Sequence, residues 1–270
     1  MSTNLTSTPS DEEQLEATWM QLAMRRFAEG IPSVESADAA IVIGSPGIDV
    51  GPVMEWMRRE RAPSGGCVSI MPVELMLLHP LAGICRQDPE WEEHHRSSAA
   101  QLAADLFDAA IEQRQRLVAH CPLECSDAAE AIIDSLIDAD YDVQVIAMVA
   151  GRETSWGLSQ EWQRGPIGKR LPRMSRSMHD ELCEVTTTAL LAITETRRVA
   201  ELLILDHRGG PLLSLTQSEE WSLSAVEEVL NSLEHTSARA ILQPAPTEPP
   251  LVAQRREFLR LIARFGDQRH

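Results

Sequence analysis

Six short apolar runs punctuate this chain, and most of the segments between them repeat with helical spacing. The runs are 40–44 (AIVIG), 66–71 (GCVSIM), 116–121 (RLVAHC), 142–149 (DVQVIAMV), 200–206 (AELLILD) and 211–215 (PLLSL). The first five are apolar through most of their length, so both faces of each strand need covering. Strands of that kind, alternating with helices, predict an α/β fold: three layers, with a mostly parallel sheet between helices. The sixth run follows the turn His207-Arg208-Gly209-Gly210 and is expected to pair with the fifth as a hairpin.

The helical patterns are expected at 11–27, 92–114, 126–139, 177–196 and 218–234. Leu15, Trp19, Leu22, Met24 and Phe27 form the stripe of the first, and Ser10 with Glu13 forms a capping box before it. Residues 1–9 read as disordered, and 1–234 as one domain. Proline and small residues make 235–250 read as a linker. Residues 251–270 then read as a basic amphipathic helix. It either docks on the acidic body or serves as a binding element for a partner or a membrane surface.

Charge narrows the function classes. The 270 residues carry a net charge of −17, so whole-chain attraction to nucleic acid is not expected. No run is long enough to span a bilayer, and no export signal is visible at the N-terminus. Five scattered cysteines suit free thiols in a reducing cytoplasm. His120, Cys121, Glu124 and Cys125 match no zinc spacing, and His94-His95 read as a solvated helix face, so no metal is expected.

One turn carries the chemical question. Ile41-Val42-Ile43 runs into Gly44-Ser45-Pro46-Gly47-Ile48-Asp49-Val50-Gly51. A phosphate-binding loop has the form G-x-x-x-x-G-K-[ST]. Its amides cradle phosphate, its lysine reaches the β and γ phosphates, and its hydroxyl holds Mg²⁺. Here Asp49 stands at the second glycine, Val50 at the lysine and Gly51 at the hydroxyl. The exchange adds a negative charge and removes a positive one. At about 4 Å in a partly buried site, one such change is worth on the order of 4 kcal/mol. Pro52 suits the first turn of a helix over 52–60, so strand, turn and helix are expected without nucleotide chemistry.

Further segments extend the pattern. "IMPVELMLLHP" (70–80) follows, then "LVAHCPLE" (117–124), Ser155 with Glu161-Trp162, "GKRLP" (168–172) and His179-Asp180. From about residue 11 to 215, these segments in this order resemble the zeta-toxin family. Those are P-loop small-molecule kinases of bacterial toxin–antitoxin systems, which phosphorylate UDP-N-acetylglucosamine or related sugar nucleotides. Gly44, Pro46 and Gly47 keep the family's G-x-P-G half. The family's I-D-x-D-x-x-R…H-P matches at Ile70, His79 and Pro80. Met71 and Val73 replace its two aspartates, and Met76 its arginine. The second aspartate is the family's expected base on the sugar hydroxyl, a role a valine cannot fill.

The resemblance therefore implies a catalytically degenerate relative in the bacterial cytoplasm. It would act by binding a partner protein, or a sugar-nucleotide-like ligand at the C-terminal ends of the strands. Residual ligand contacts are expected from His79, Arg164, Lys169 and Arg170, with no catalytic residue and no cofactor. One alternative is a working kinase using ATP and Mg²⁺, with a displaced cation from Lys169, Arg170 or Arg173. Another is an antitoxin- or immunity-like interaction protein.

Overall fold

The computed structural model describes residues 11–79, 89–123, 126–164, 173–217 and 221–240. Six strands form one sheet: β1 (Ala37–Gly44), β2 (Val68–Ile70), β3 (Leu117–His120), β4 (Tyr141–Val149), β5 (Glu201–Asp206) and β6 (Pro211–Thr216). Their order is β2-β3-β1-β4-β5-β6. The first five run parallel, and β6 pairs antiparallel with β5 as the hairpin expected from the sequence. The helices are α1 (Asp11–Phe27), α2 (Gly51–Arg61), α3 (Pro72–Leu78), α4 (Pro89–Glu112), α5 (Ser126–Asp138), α6 (Arg152–Arg164), α7 (Arg176–Thr196) and α8 (Leu223–Ala240).

The pleat sorts each strand's side chains into two cores. Ala39, Ile41 and Ile43 of β1 join one core, which also holds Trp19 of α1, Leu102 and Leu106 of α4, Leu136 of α5 and Leu190 of α7. Ala40 and Val42 turn to the other, where α2 supplies Val53, Met54, Trp56 and Met57. On β4 and β5 the same alternation separates Val145 and Ile204 from Ile146 and Leu205. Both faces of the sheet are therefore covered, as the near-continuous apolar runs demand.

Two helices escaped the periodicity. In α6 the buried positions are Ser155 and Ser159, so the inward stripe is polar in composition. α3 has only seven residues, too short to show a period. α8 also departs from expectation. It begins at Leu223, where the Ser222 hydroxyl accepts the Ala225 N–H (3.3 Å), and it continues to Ala240, six residues into the segment read as a linker. His-Thr-Ser-Ala-Arg-Ala at 235–240 holds no proline or glycine to stop it. Residues 1–9, Ser10 of the capping box and the basic segment 251–270 lie outside the described residues.

The strand order places the site. β1 lies between β3 and β4, and the chain winds away from it in both directions. The crevice at such a switch point, at the strands' C-terminal ends, is where open α/β sheets take ligands. The opposite end is closed by charge pairing. Asp38, near the start of β1, accepts from Arg61 Nη2 (2.6 Å) and Arg116 Nε (3.0 Å). No helix among the described residues is long and apolar enough to cross a membrane.

Candidate functional site: the turn after the first strand

The Ser45 N–H donates to the Met148 carbonyl (2.9 Å), which carries the β1–β4 pairing one residue past the strand. The chain then reverses. The Ile48 N–H donates to the Ser45 carbonyl (3.1 Å), with Pro46 and Gly47 at the corners and Gly47 at φ +80°. Proline first and a positive-φ glycine second is the requirement of a type II turn. Helix α6 lies directly across that turn. A Cβ on Gly47 would sit 2.5 Å from Cα and 2.6 Å from Cβ of Ser159, and closer still to its amide nitrogen. Glycine is thus required twice over, by backbone angle and by space.

The start of α2 is where a phosphate would meet free amides. Here the amides from Gly51 onward are already engaged. The Gly51 N–H donates to Asp49 Oδ1 (2.9 Å), so the chain's own carboxylate occupies that donor. Pro52 has no N–H to offer. The Val53 and Met54 N–H groups both donate to the Val50 carbonyl (3.1 and 3.0 Å). Asp49 is exposed, so its charge faces the mouth of the turn.

Val50 points the other way. It is buried in the second core, with Ile48, Val53 and Met71 around the same cluster. A Cβ on Gly44 would lie 2.7 Å from Val50 Cγ1, so the small residue at 44 leaves room for this valine. Met71 caps α3 and packs on that cluster, while Met76 packs against the first core. Val73, like them, carries no ionisable group.

Facing the turn, α6 and α7 build a polar chain. The Ser155 hydroxyl donates to the Pro46 carbonyl (2.6 Å) and lies 2.9 Å from His179 Nε2. His179 Nδ1 lies 3.0 Å from Asp180 Oδ1. Arg176 binds Asp180 Oδ2 (3.0 Å) and, through both terminal nitrogens, Glu153 (2.6 and 3.1 Å). It also covers the ring of Trp156, which meets His179 edge-on. The His179 and Arg176 hydrogen bonds hold the Asp180 carboxyl below its usual range. Serine, histidine and aspartate in series resemble a hydrolase triad, but Ser155 and His179 are both fully buried. The hydroxyl is spent on a backbone carbonyl, which leaves no exposed nucleophile.

Of the remaining expected contacts, His79 and Arg164 lie among the described residues. His79 packs edge-on against Trp19 (4.7 Å), whose Nε1–H donates to the Leu75 carbonyl (2.9 Å). Arg164 is exposed at the last residue of α6. Lys169, Arg170, Glu124 and Cys125 lie outside the described residues, and Arg173 is exposed. His120 ends β3 opposite Val42, and its Nδ1 is sealed from solvent with no partner. Burial pulls its pKa down to about 4, so the ring is neutral near pH 7. Cys121 beside it is a buried free thiol. Among the described residues, no three histidine, cysteine or acidic side chains are placed to hold a metal.

Sequence reasoning noted Ser155 and His179-Asp180 as pattern matches but did not connect them to the turn. The signal available was the pair of small residues, Ser155 and Ser159, at helical spacing opposite a glycine.

The Zeta toxin family profile matches residues 24–212. The chain belongs to the zeta toxin family. That span runs from the end of α1 into β6 and includes the whole parallel sheet. No curated protein sequence matches the chain. Among solved structures, one from the PezAT chromosomal toxin–antitoxin system of Streptococcus pneumoniae superposes with a TM-score of 0.65 at 15% identity, covering 93% of this chain and 98% of that one. The native AvrRxo1-ORF1:ORF2 complex gives 0.61 at 13% identity, covering 92% and 84%. An AvrRxo1-ORF1:ORF2 structure with ATP gives 0.57 at 13%, covering 88% and 75%. At such identities the likeness is one of fold: the zeta toxin, P-loop-kinase-like α/β architecture.

Proposed function

We propose that this chain is a zeta toxin family member that acts by binding rather than by phosphoryl transfer. The observation that carries this reading is the closed start of α2. Asp49 occupies the Gly51 amide, Pro52 supplies none, and the next two amides are bonded to Val50. Phosphoryl transfer depends almost wholly on positioning and on neutralising charge at the phosphates. A buried valine at the lysine position neutralises nothing, and a carboxylate at the mouth repels the triphosphate. Met71, Val73 and Met76 likewise leave no base or cation where the family resemblance places them.

The occupant we favour is a partner protein. The structural neighbours come from a toxin–antitoxin system and from a two-protein complex, and a scaffold kept without its phosphate chemistry retains its surface. Under this reading the protein needs neither ATP nor Mg²⁺.

The test rebuilds the loop. The triple variant Asp49→Gly, Val50→Lys, Gly51→Ser is expected to bind Mg·ATP at least about tenfold more tightly than the parent, about 1.4 kcal/mol. It should transfer no phosphate to a sugar nucleotide, because Val73 still supplies no base. A triple variant binding no better than the parent would show that residues 44–51 do not sit in the register of a phosphate-binding loop.

A further inference from the structure

We propose that His179 carries both ring protons and, through Ser155, clamps the turn at residues 45–48, so that the hold on the turn follows the protonation of a buried imidazole. The argument is a count of protons. A carbonyl oxygen only accepts, so the 2.6 Å contact between Ser155 Oγ and the Pro46 carbonyl uses the single hydroxyl proton. His179 Nε2, at 2.9 Å from the same Oγ, must then be the donor. Asp180, held ionised beside Arg176, accepts from Nδ1 at 3.0 Å, which makes Nδ1 a donor as well. Both nitrogens donate, so the ring is an imidazolium paired with a carboxylate.

Loss of one proton breaks this arrangement at a defined place. Deprotonating Nδ1 would set a lone pair against the Asp180 carboxylate, so the proton leaves from Nε2. Nε2 then becomes an acceptor and competes with the Pro46 carbonyl for the one hydroxyl proton. Either the carbonyl loses its donor, or the ring nitrogen is left with only the weak S–H donor of Cys183, 3.8 Å away, in a buried site. The clamp therefore closes with the imidazolium and slackens with the neutral ring.

The groups facing His179 support that direction. On α7, Asp180 and Arg176 flank it, and Cys183 Sγ lies 3.8 Å from Nε2. Burial pushes the Cys183 thiol up, so it stays neutral and adds no competing charge. On α6, Glu153 is held by Arg176, and Arg152 is engaged by Glu184 of α7 and, through its N–H, by Glu234 of α8. Asp180 is thus the carboxylate in direct contact with the ring. The clamp explains why a fully buried serine lies across from a proline carbonyl, and it operates whether or not any nucleotide binds.

The experiment is an NMR titration of the intact chain between about pH 5 and 9, with the His179 ring assigned by its disappearance in His179→Gln. At the acid end, both His179 nitrogens should report as N–H. As pH rises, Nε2 should lose its proton, and the Gly47 and Ile48 amide signals should shift with the same midpoint. Ser155→Ala should abolish that shift of the loop amides while leaving the ring titration in place. A neutral His179 tautomer at every pH, or loop amides that ignore the ring's midpoint in the unmutated protein, would overturn the proposal.

Discussion

Gly47→Ala should lower folding stability by about 3 kcal/mol, read from urea unfolding midpoints at constant m-value. Two terms add. A residue at φ +80° with a Cβ costs about 1 kcal/mol in backbone strain. The new methyl group also overlaps the backbone of Ser159, not the far end of a flexible side chain. Relief requires α6 to move off the turn, and overpacking of that kind costs about 1–3 kcal/mol. Movement of α6 would in turn strain the bond from Ser155 to the Pro46 carbonyl. A built-in comparison isolates the second term. Gly209, in the β5–β6 turn, has φ +82° but nothing within 4 Å of an added Cβ. Gly209→Ala should therefore lose only about 1 kcal/mol. Equal losses in the two variants would mean that α6 does not press on the glycine turn.

Acid should weaken the fold through His120. In the unfolded chain this histidine takes a proton near pH 6.5, whereas burial at the end of β3 holds it neutral in the fold until about pH 4. Between those values the unfolded state binds more protons than the folded one. Stability contributed by the neutral ring is therefore complete above about pH 6.5 and falls as pH drops. The full window is worth on the order of 3 kcal/mol, an upper value because part of the side chain reaches the surface. His120→Gln removes the titration. Its unfolding free energy should fall less than the parent's between pH 7 and pH 4.5. Parallel pH profiles for the two proteins would show that the ring titrates normally in the fold.

The architecture was legible because burial on two faces leaves a plain trace. Runs such as Ile41-Val42-Ile43 and Leu202-Leu203-Ile204-Leu205 announce strands covered above and below, and the structure puts alternate members in opposite cores. α6 was not legible as a helix because its inward positions are serines, chosen by the close approach to Gly47. The turn was legible as a shape, since Pro46-Gly47 dictates it. Its chemistry was only half legible. The sequence shows Asp49 where a glycine is expected, but the carboxylate on the Gly51 amide and Val50 folded back over Gly44 emerge only in the fold. The contact between Ser155 and His179 joins residues 24 apart on different helices, and no local spacing encodes it. His79, expected as a ligand contact, packs edge-on against Trp19, 60 positions earlier in the chain, a contact that no local spacing encodes.

Titration calorimetry of the purified, unmutated protein with Mg·ATP tests the central claim most directly. With the start of α2 closed by Asp49 and no cation at position 50, the expected result is no saturable binding at millimolar nucleotide. A dissociation constant below about 1 mM, equivalent to about −4 kcal/mol, would contradict it.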